Sequence, residues 1–179
     1  MCVAGIKPLG INMQKTDIYL GIGANLTPDG FNSPQAGCEA ALDGLSGYSI
    51  DIIKISRWFE SAPVPVSDQP WFKNAVIHAT TSLNAAETLT ALHKVEAQFG
   101  RQRRIRNEAR VLDIDLLDFG GMHSDDESLL LPHPRMHQRA FVLLPLQDLA
   151  PDWVHPVTGD SIQSLIDTLP DGQIIRPVS

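Results

Sequence analysis

Cysteine is scarce in this chain of 179 residues: Cys2 and Cys38 are the only two, and their spacing suits neither a metal cage nor a redox pair. A disulfide scaffold is excluded, and a reduced, cytoplasmic compartment is the expected one. Long hydrophobic runs are lacking as well, so no bilayer span and no membrane partner are expected. The opening "MCVAGIKPLGINMQK" has no sustained apolar segment with a small-residue cleavage site behind it. It reads as an extension over residues 1–16, with Met13 as an alternative start. Positive charge is in deficit: 14 Lys and Arg stand against 21 Asp and Glu, a net charge of −7. That balance argues against general nucleic-acid binding. Two familiar catalytic signatures are also missing. No G-x-x-x-x-G-K-[ST] phosphate loop and no G-x-S-x-G nucleophile elbow occurs.

What is present suits one globular domain over residues 17–179, with 43% apolar residues to build a core. No apolar stripe is left clearly unused, and a monomer is expected. "DIYLGIG" (Asp17–Gly23) reads as a first strand. Ser33, Pro34 and Gly47 frame a helix as N-cap, first residue and terminator. "YSIDIIKISRWFES" is β-branched and aromatic, hence one strand. A proline-rich loop follows, then the strand "FKNAVIHATTSL". Asn84 and Glu87 form a capping-box pattern before a helix whose stripe is Leu89, Leu92, Val95 and Phe99. The strand "VLDIDLL" and C-terminal additions complete the chain. The order β-α-β-β-α-β predicts an α+β, ferredoxin-like fold, with one sheet face under the helices and the other open for a site.

The last core strand poses a problem in electrostatics. Asp113 and Asp115 are two apart, so on a strand both carboxylates leave the same face. Roughly 7 Å apart, they repel by about 2.5 kcal/mol at an effective dielectric near 20. A hard divalent cation would relieve this, and Mg²⁺ is commonly held by one or two carboxylates together with substrate phosphates. Asp118 falls on the opposite face by parity. Just upstream, "RQRRIRNEAR" gathers Arg101, Arg103, Arg104, Arg106 and Arg110 in an otherwise acidic protein. Carboxylates for a metal beside guanidinium groups for an anion suggest phosphoryl or nucleotidyl transfer.

Other stretches are weaker. "GIGANL" lacks the third glycine of a dinucleotide fingerprint and reads as a tight turn after the first strand. "LPHPRMHQRAF" carries His133 and His137 at a helical metal spacing, but Pro134 and the missing H-E-x-x-H argue against zinc. His133 and Arg139 can serve as hydrogen-bond donors facing a phosphate. Phe72 and Asn74 share one strand face and would suit a flat heterocycle, the carboxamide offering both a donor and an acceptor.

Together, "GIGANL", "SAPVPVSDQPWFKNAV", "VEAQFGRQR", "ARVLDIDLLDFGG", "LLLPHPRM" and "RAFVLLPLQDLAP" resemble the 6-hydroxymethyl-7,8-dihydropterin pyrophosphokinase family of the folate pathway, from Asp17 to about Trp153. The resemblance implies Mg²⁺-dependent transfer of pyrophosphate from ATP to the hydroxymethyl oxygen of 6-hydroxymethyl-7,8-dihydropterin, with AMP released. It implies that Asp113 and Asp115 hold two Mg²⁺ ions, and that His93, Glu96, Arg103, His133 and Arg139 meet ATP. Ser61, Val64, Phe72, Asn74 and Phe141 would meet the pterin, with Phe72 and Phe141 sandwiching its ring. Arg101 and Arg110 would belong to a catalytic loop that closes over the phosphates. Asp115 or a water on the metal would take the hydroxyl proton. Many members carry Trp and Gly just before the residue matching Arg110; here Asn107 and Glu108 stand there. Two alternatives are a Mg²⁺-dependent nucleotidyltransferase, which would release pyrophosphate, and a non-catalytic ferredoxin-like binding module.

Overall fold

The computed structural model describes residues 15–65, 67–100 and 109–178. Strand β1 (Thr16–Ala24) is followed by helix α1 (Pro34–Gly44) and a 3₁₀ turn, Leu45–Tyr48. The Ser33 hydroxyl accepts from Ala36 N–H, capping α1 as its position suggests. Next come β2 (Ile50–Ile55), β3 (Phe59–Ser61) and β4 (Phe72–Thr81). Helix α2 (Ala85–Gln98) starts with a complete capping box, in which Asn84 and Glu87 satisfy each other's amides at 2.9 Å. Then follow β5 (Asp113–Phe119), the hairpin β6 (Ser124–Asp126) and β7 (Leu129–Leu131), a 3₁₀ turn (Met136–Gln138), α3 (Ala140–Leu149), α4 (Ile162–Asp167) and β8 (Ile175–Pro177).

The main sheet runs β5-β1-β4-β3-β8, with β2 also on β4, and its pairings are antiparallel. This is the expected ferredoxin-like core with additions, but the second strand is not continuous. Ser56 N–H still donates to the Val76 carbonyl at 2.9 Å, and over Arg57 and Trp58 the chain leaves β4. The Ser56 hydroxyl accepts from Val76 N–H at 3.0 Å and donates to the Arg57 carbonyl at 2.8 Å. A side chain thus takes the place of one ladder bond, and the strand resumes as β3. Asp148 of α3 receives the Arg57 amide and guanidinium, each at 2.8 Å, which pins the break to the helix above it.

One sheet face packs Ile18, Leu20, Ile22, Ile77, Ile114 and Leu116 under α1 and α2. In α2 the buried stripe is Ala85, Thr88, Ala91, Leu92 and Val95; Leu89 and Phe99 are only half-buried. Cys38 lies in this core, where burial pushes its thiol up to about 12 and keeps it protonated. The other face is not open along its length. Val76 and Leu117 lie beneath Val142, Leu143, Leu146 and Trp153 and the α4 residues Ile162 and Leu165. Helix α3 is apolar enough to need cover on several sides, so it lies on the sheet. The end carrying Asp113 and Asp115 is left uncovered. Among the described residues, no helix is long and apolar enough to cross a membrane.

Candidate active site

A cavity of about 530 Å³ opens at that uncovered end. Its floor comes from three neighbouring strands. Gly23 of β1 pairs with Asn74 of β4 on one side and Asp113 of β5 on the other. Two residues on, Gly21 pairs with Val76 and Asp115. "GIGANL" is therefore not a tight turn. Its glycines lie inside β1, which runs to Ala24, and both face the cavity. A Cβ on Gly23 would sit 2.9 Å from Asn74 Oδ1, whereas one on Gly21 would make ordinary 3.5 Å contact with Leu117. The glycine at 23 lets the Asn74 carboxamide lie across the strand. That amide is buried, and its Nδ2 donates to Ser61 Oγ at 2.9 Å.

Asp113 and Asp115 both reach the cavity, as the two-residue spacing requires. Arg110 forms an ion pair with Asp113. Asp115 Oδ2 lies 3.5 Å from Arg139 Nη1 and 3.8 Å from His133 Nε2. His133 is held there by its own backbone, whose N–H donates to the Leu117 carbonyl of β5 at 2.8 Å. Burial, more than any nearby charge, lowers the pKa of His133; the carboxylate of Asp115 opposes that shift, while Arg139 and Arg135 add to it. Burial also lowers Arg139, again against Asp115. The Arg139 guanidinium stands 5.4 Å from the centroid of the Phe141 ring.

Parity fails at Asp118. The β1–β5 register slips between Tyr19 and Leu20, so that Leu20 pairs with Leu116 and Tyr19 with Asp118. The bulge turns Asp118 to the α3 side, the side that Asp113 and Asp115 face. There it is buried and occupied: Trp153 Nε1–H and Gly121 N–H each donate to it at 2.9 Å.

Of the residues singled out from the sequence, Ser61, Val64, Phe72, Asn74, Arg110, Asp113, Asp115, Arg139 and Phe141 line this one cavity, and His133 adjoins it. His93 and Glu96 do not line it. They sit on α2 behind the sheet, where buried Glu96 accepts from the Ile114 amide, between the two aspartates, at 2.7 Å. Arg101 and Arg103 lie outside the described residues. Several lining residues were missed, among them Arg135, Gln138 and the C-terminal Gln173. Asn25, almost fully buried, was missed as well, and its amide contacts link β1 to both Arg110 and the Gln69–Pro70 loop. The sequence offered only an asparagine directly after the strand run; its burial came from the packing.

Carboxylates facing guanidinium groups across a half-buried cavity suit phosphate chemistry, and the aromatic, amide-floored slot beside them suits a flat acceptor. The class is a phosphoryl-transfer enzyme on a ferredoxin-like α+β fold. The sequence matches the family 7,8-dihydro-6-hydroxymethylpterin-pyrophosphokinase (HPPK) over residues 19–151. It is 34% identical, over 99% of its length and 88% of the relative's, to 2-amino-4-hydroxy-6-hydroxymethyldihydropteridine pyrophosphokinase of Synechocystis sp.. It is 37% identical over 90% of its length to the folic acid synthesis protein fol1 of Pneumocystis carinii, of which it spans 21%. The HPPK-DHPS of Plasmodium falciparum has a similar fold, with TM-score 0.65 at 15% identity over 86% of this chain and 41% of that one. The chain belongs to the HPPK family, and its activity is that of a pyrophosphokinase in folate biosynthesis.

Proposed function

We propose that the cavity holds 6-hydroxymethyl-7,8-dihydropterin and the phosphates of ATP side by side on the sheet. The observation that carries this reading is the lateral row Asn74–Gly23–Asp113, which puts a heterocycle-reading amide level with the carboxylate pair and only β1 between them. The pterin ring lies between Phe72 and Phe141, its edge on Asn74 and Ser61 and its flank against Val64. The triphosphate lies over Asp113 and Asp115, within reach of Arg110, Arg139 and His133. By resemblance alone, Arg103, His93 and Glu96 are assigned to ATP, and Arg101 to the catalytic loop that closes over the phosphates.

The donor set fits Mg²⁺. It offers two carboxylates, hard oxygen donors, on one face of β5 and both lining the cavity. Such a set leaves positions for phosphate oxygens and water. Asp113 and Asp115 would hold the metal, which when bound neutralises charge on the transferring phosphates.

In the reaction the hydroxymethyl oxygen attacks the β-phosphorus of ATP. A new O–Pβ bond forms, the bond from Pβ to the α,β-bridging oxygen breaks, and AMP leaves with that oxygen. Asp115 is assigned the hydroxyl proton. The slot fixes the acceptor oxygen in line, and the arginines stabilise charge developing on the phosphates. The test is a product assay with ATP, Mg²⁺ and the pterin. AMP and pterin diphosphate in equal amounts, lost with EDTA, are expected. ADP, or free pyrophosphate with AMP left on the acceptor, would overturn the reading.

A further inference from the structure

The first amides of a helix have no partner inside it and need an outside acceptor. Helix α3 begins at Ala140, and its N-cap, Arg139, makes no side-chain cap. Arginine has no acceptor to offer. The acceptor comes from 33 residues downstream: Ala140 N–H donates to Gln173 Oε1 at 2.9 Å. The other end of the same amide, Gln173 Nε2, donates to the Gln138 carbonyl at 3.0 Å and the Pro170 carbonyl at 3.4 Å. One side chain thus binds the backbone on both sides of Arg139.

The residues after Gln173 are bound to the opposite wall. The Ile174 carbonyl accepts from Ala62 N–H at 3.0 Å, and β8 pairs with β3, Ile175 opposite Ser61. Arg176 anchors the strand further, with an ion pair to Glu60 at 2.5 Å and its guanidinium 5.0 Å from the Trp71 ring centroid. Ser61 in turn holds Asn74. Pro170, Asp171 and Gln173 themselves line the cavity.

We infer that the segment from Pro170 to Pro177 is a clasp that sets the width of the heterocycle slot, and that Gln173 is a positioning residue for Arg139 and Phe141. The inference rests on the pterin reading of that slot. Strand β8 ties the clasp to the wall of Ser61 and Asn74. Gln173 ties it to the start of α3, where Arg139 and Phe141 project inward. With the clasp in place the two walls are held apart by a fixed distance before the ligand arrives, which lowers the ordering cost of binding. The phosphate end, beside Asp113, is not spanned by it.

The test is steady-state kinetics with each substrate varied separately, together with direct titration of the pterin. Gln173→Ala is expected to raise KM and Kd for the pterin about tenfold, the equivalent of about 1.4 kcal/mol. The KM for ATP and kcat change by a smaller factor, about threefold, because Gln173 also brackets Arg139. Gln173→Glu keeps the acceptor for Ala140 N–H but loses the donor to the Gln138 and Pro170 carbonyls, and should fall between wild type and Gln173→Ala. Ser161→Ala removes the N-cap of α4, where Ser161 Oγ accepts from Ser164 N–H, and serves as the stability control. It should lower Tm without moving either KM. If Gln173→Ala leaves the pterin KM unchanged, or moves both KM values alike as its Tm falls, the clasp is refuted. If the wild-type protein makes no AMP and pterin diphosphate, it is the functional reading that fails. A wild-type enzyme that turns over, with an indifferent Gln173→Ala, refutes the clasp alone.

Discussion

Asn25 and Arg110 clasp each other by backbone and side chain together. The Arg110 N–H donates to Asn25 Oδ1 at 2.7 Å, and the Arg110 carbonyl accepts from Asn25 N–H and Leu26 N–H, both at 3.0 Å. The remaining end of the amide, Asn25 Nδ2, donates to Gln69 Oε1 at 3.2 Å and the Pro70 carbonyl at 3.1 Å. One buried carboxamide therefore sets the arginine that meets Asp113 relative to the loop leading into Phe72. Removing it orphans several groups at once.

Asn25→Ala should cost about 1–3 kcal/mol of stability, the usual penalty for unsatisfied buried polar groups. It should also lower kcat, because Arg110 loses one of the three bonds that hold its backbone. Asn25→Asp keeps the acceptor for Arg110 N–H but loses the donor to Gln69 and Pro70, and should fall between the two. Urea melts and turnover on the three proteins check this. Equal stability of Asn25→Ala and wild type would contradict it.

The two glycines of β1 should differ. Gly23→Ala places a methyl 2.9 Å from Asn74 Oδ1 and must displace the amide; Gly21→Ala meets Leu117 at 3.5 Å. The first should raise KM for the pterin about tenfold, a loss of about 1.4 kcal/mol, with KM for ATP little changed. The second should alter either value by less than about threefold, an effect below about 0.7 kcal/mol. Matching effects from both would mean that Asn74 does not depend on the space above Gly23.

Three aspartates of one strand should give two different phenotypes. Asp113→Asn and Asp115→Asn should each cut kcat by about 10²-fold or more, roughly 2.7 kcal/mol of barrier, with melting temperatures near wild type. Asp118→Asn should keep its turnover but lose about 1–3 kcal/mol of stability. Its new NH₂ must face one of the two donors, Trp153 Nε1–H or Gly121 N–H, that the carboxylate now satisfies. Near-normal kcat for Asp115→Asn at saturating Mg²⁺ would remove both its metal role and its proton role.

His155 gives the protein an acid-side weakness away from the cavity. Burial, then the neighbouring His137, lower its pKa below the ordinary 6.5, with Asp160 and Asp118 opposing. Its Nδ1 accepts from Val157 N–H at 3.4 Å and Thr158 N–H at 3.2 Å, which needs that nitrogen unprotonated. Since the folded pKa is the lower one, the unfolded chain takes up the proton first as pH falls. The stabilisation is complete above about pH 6.5 and is lost as pH falls from there through the depressed folded value. The Tm gap between wild type and His155→Asn should be widest at pH 8 and narrow toward pH 5. A gap constant with pH would rule the mechanism out.

What the sequence determined by itself were features of short range. The capping box at Asn84 and Glu87, the Ser33 cap and the common face of Asp113 and Asp115 follow from helical and strand periods, which a few residues dictate. The aspartates and arginines, read as a charge pattern, already pointed to phosphates. Tertiary structure decided the rest. Parity assumes an unbroken ladder, and the bulge opposite Tyr19 and Leu20 overturned it for Asp118. Ser56 broke a run of good strand formers because its hydroxyl could replace a ladder bond to Val76. The glycines of β1 became a site floor only once β4 and β5 paired on either side. Gln173 became a helix cap only when β8 joined β3 and brought it back to Ala140. Periodicity is carried by the local backbone, whereas these partnerships exist only after distant segments have packed.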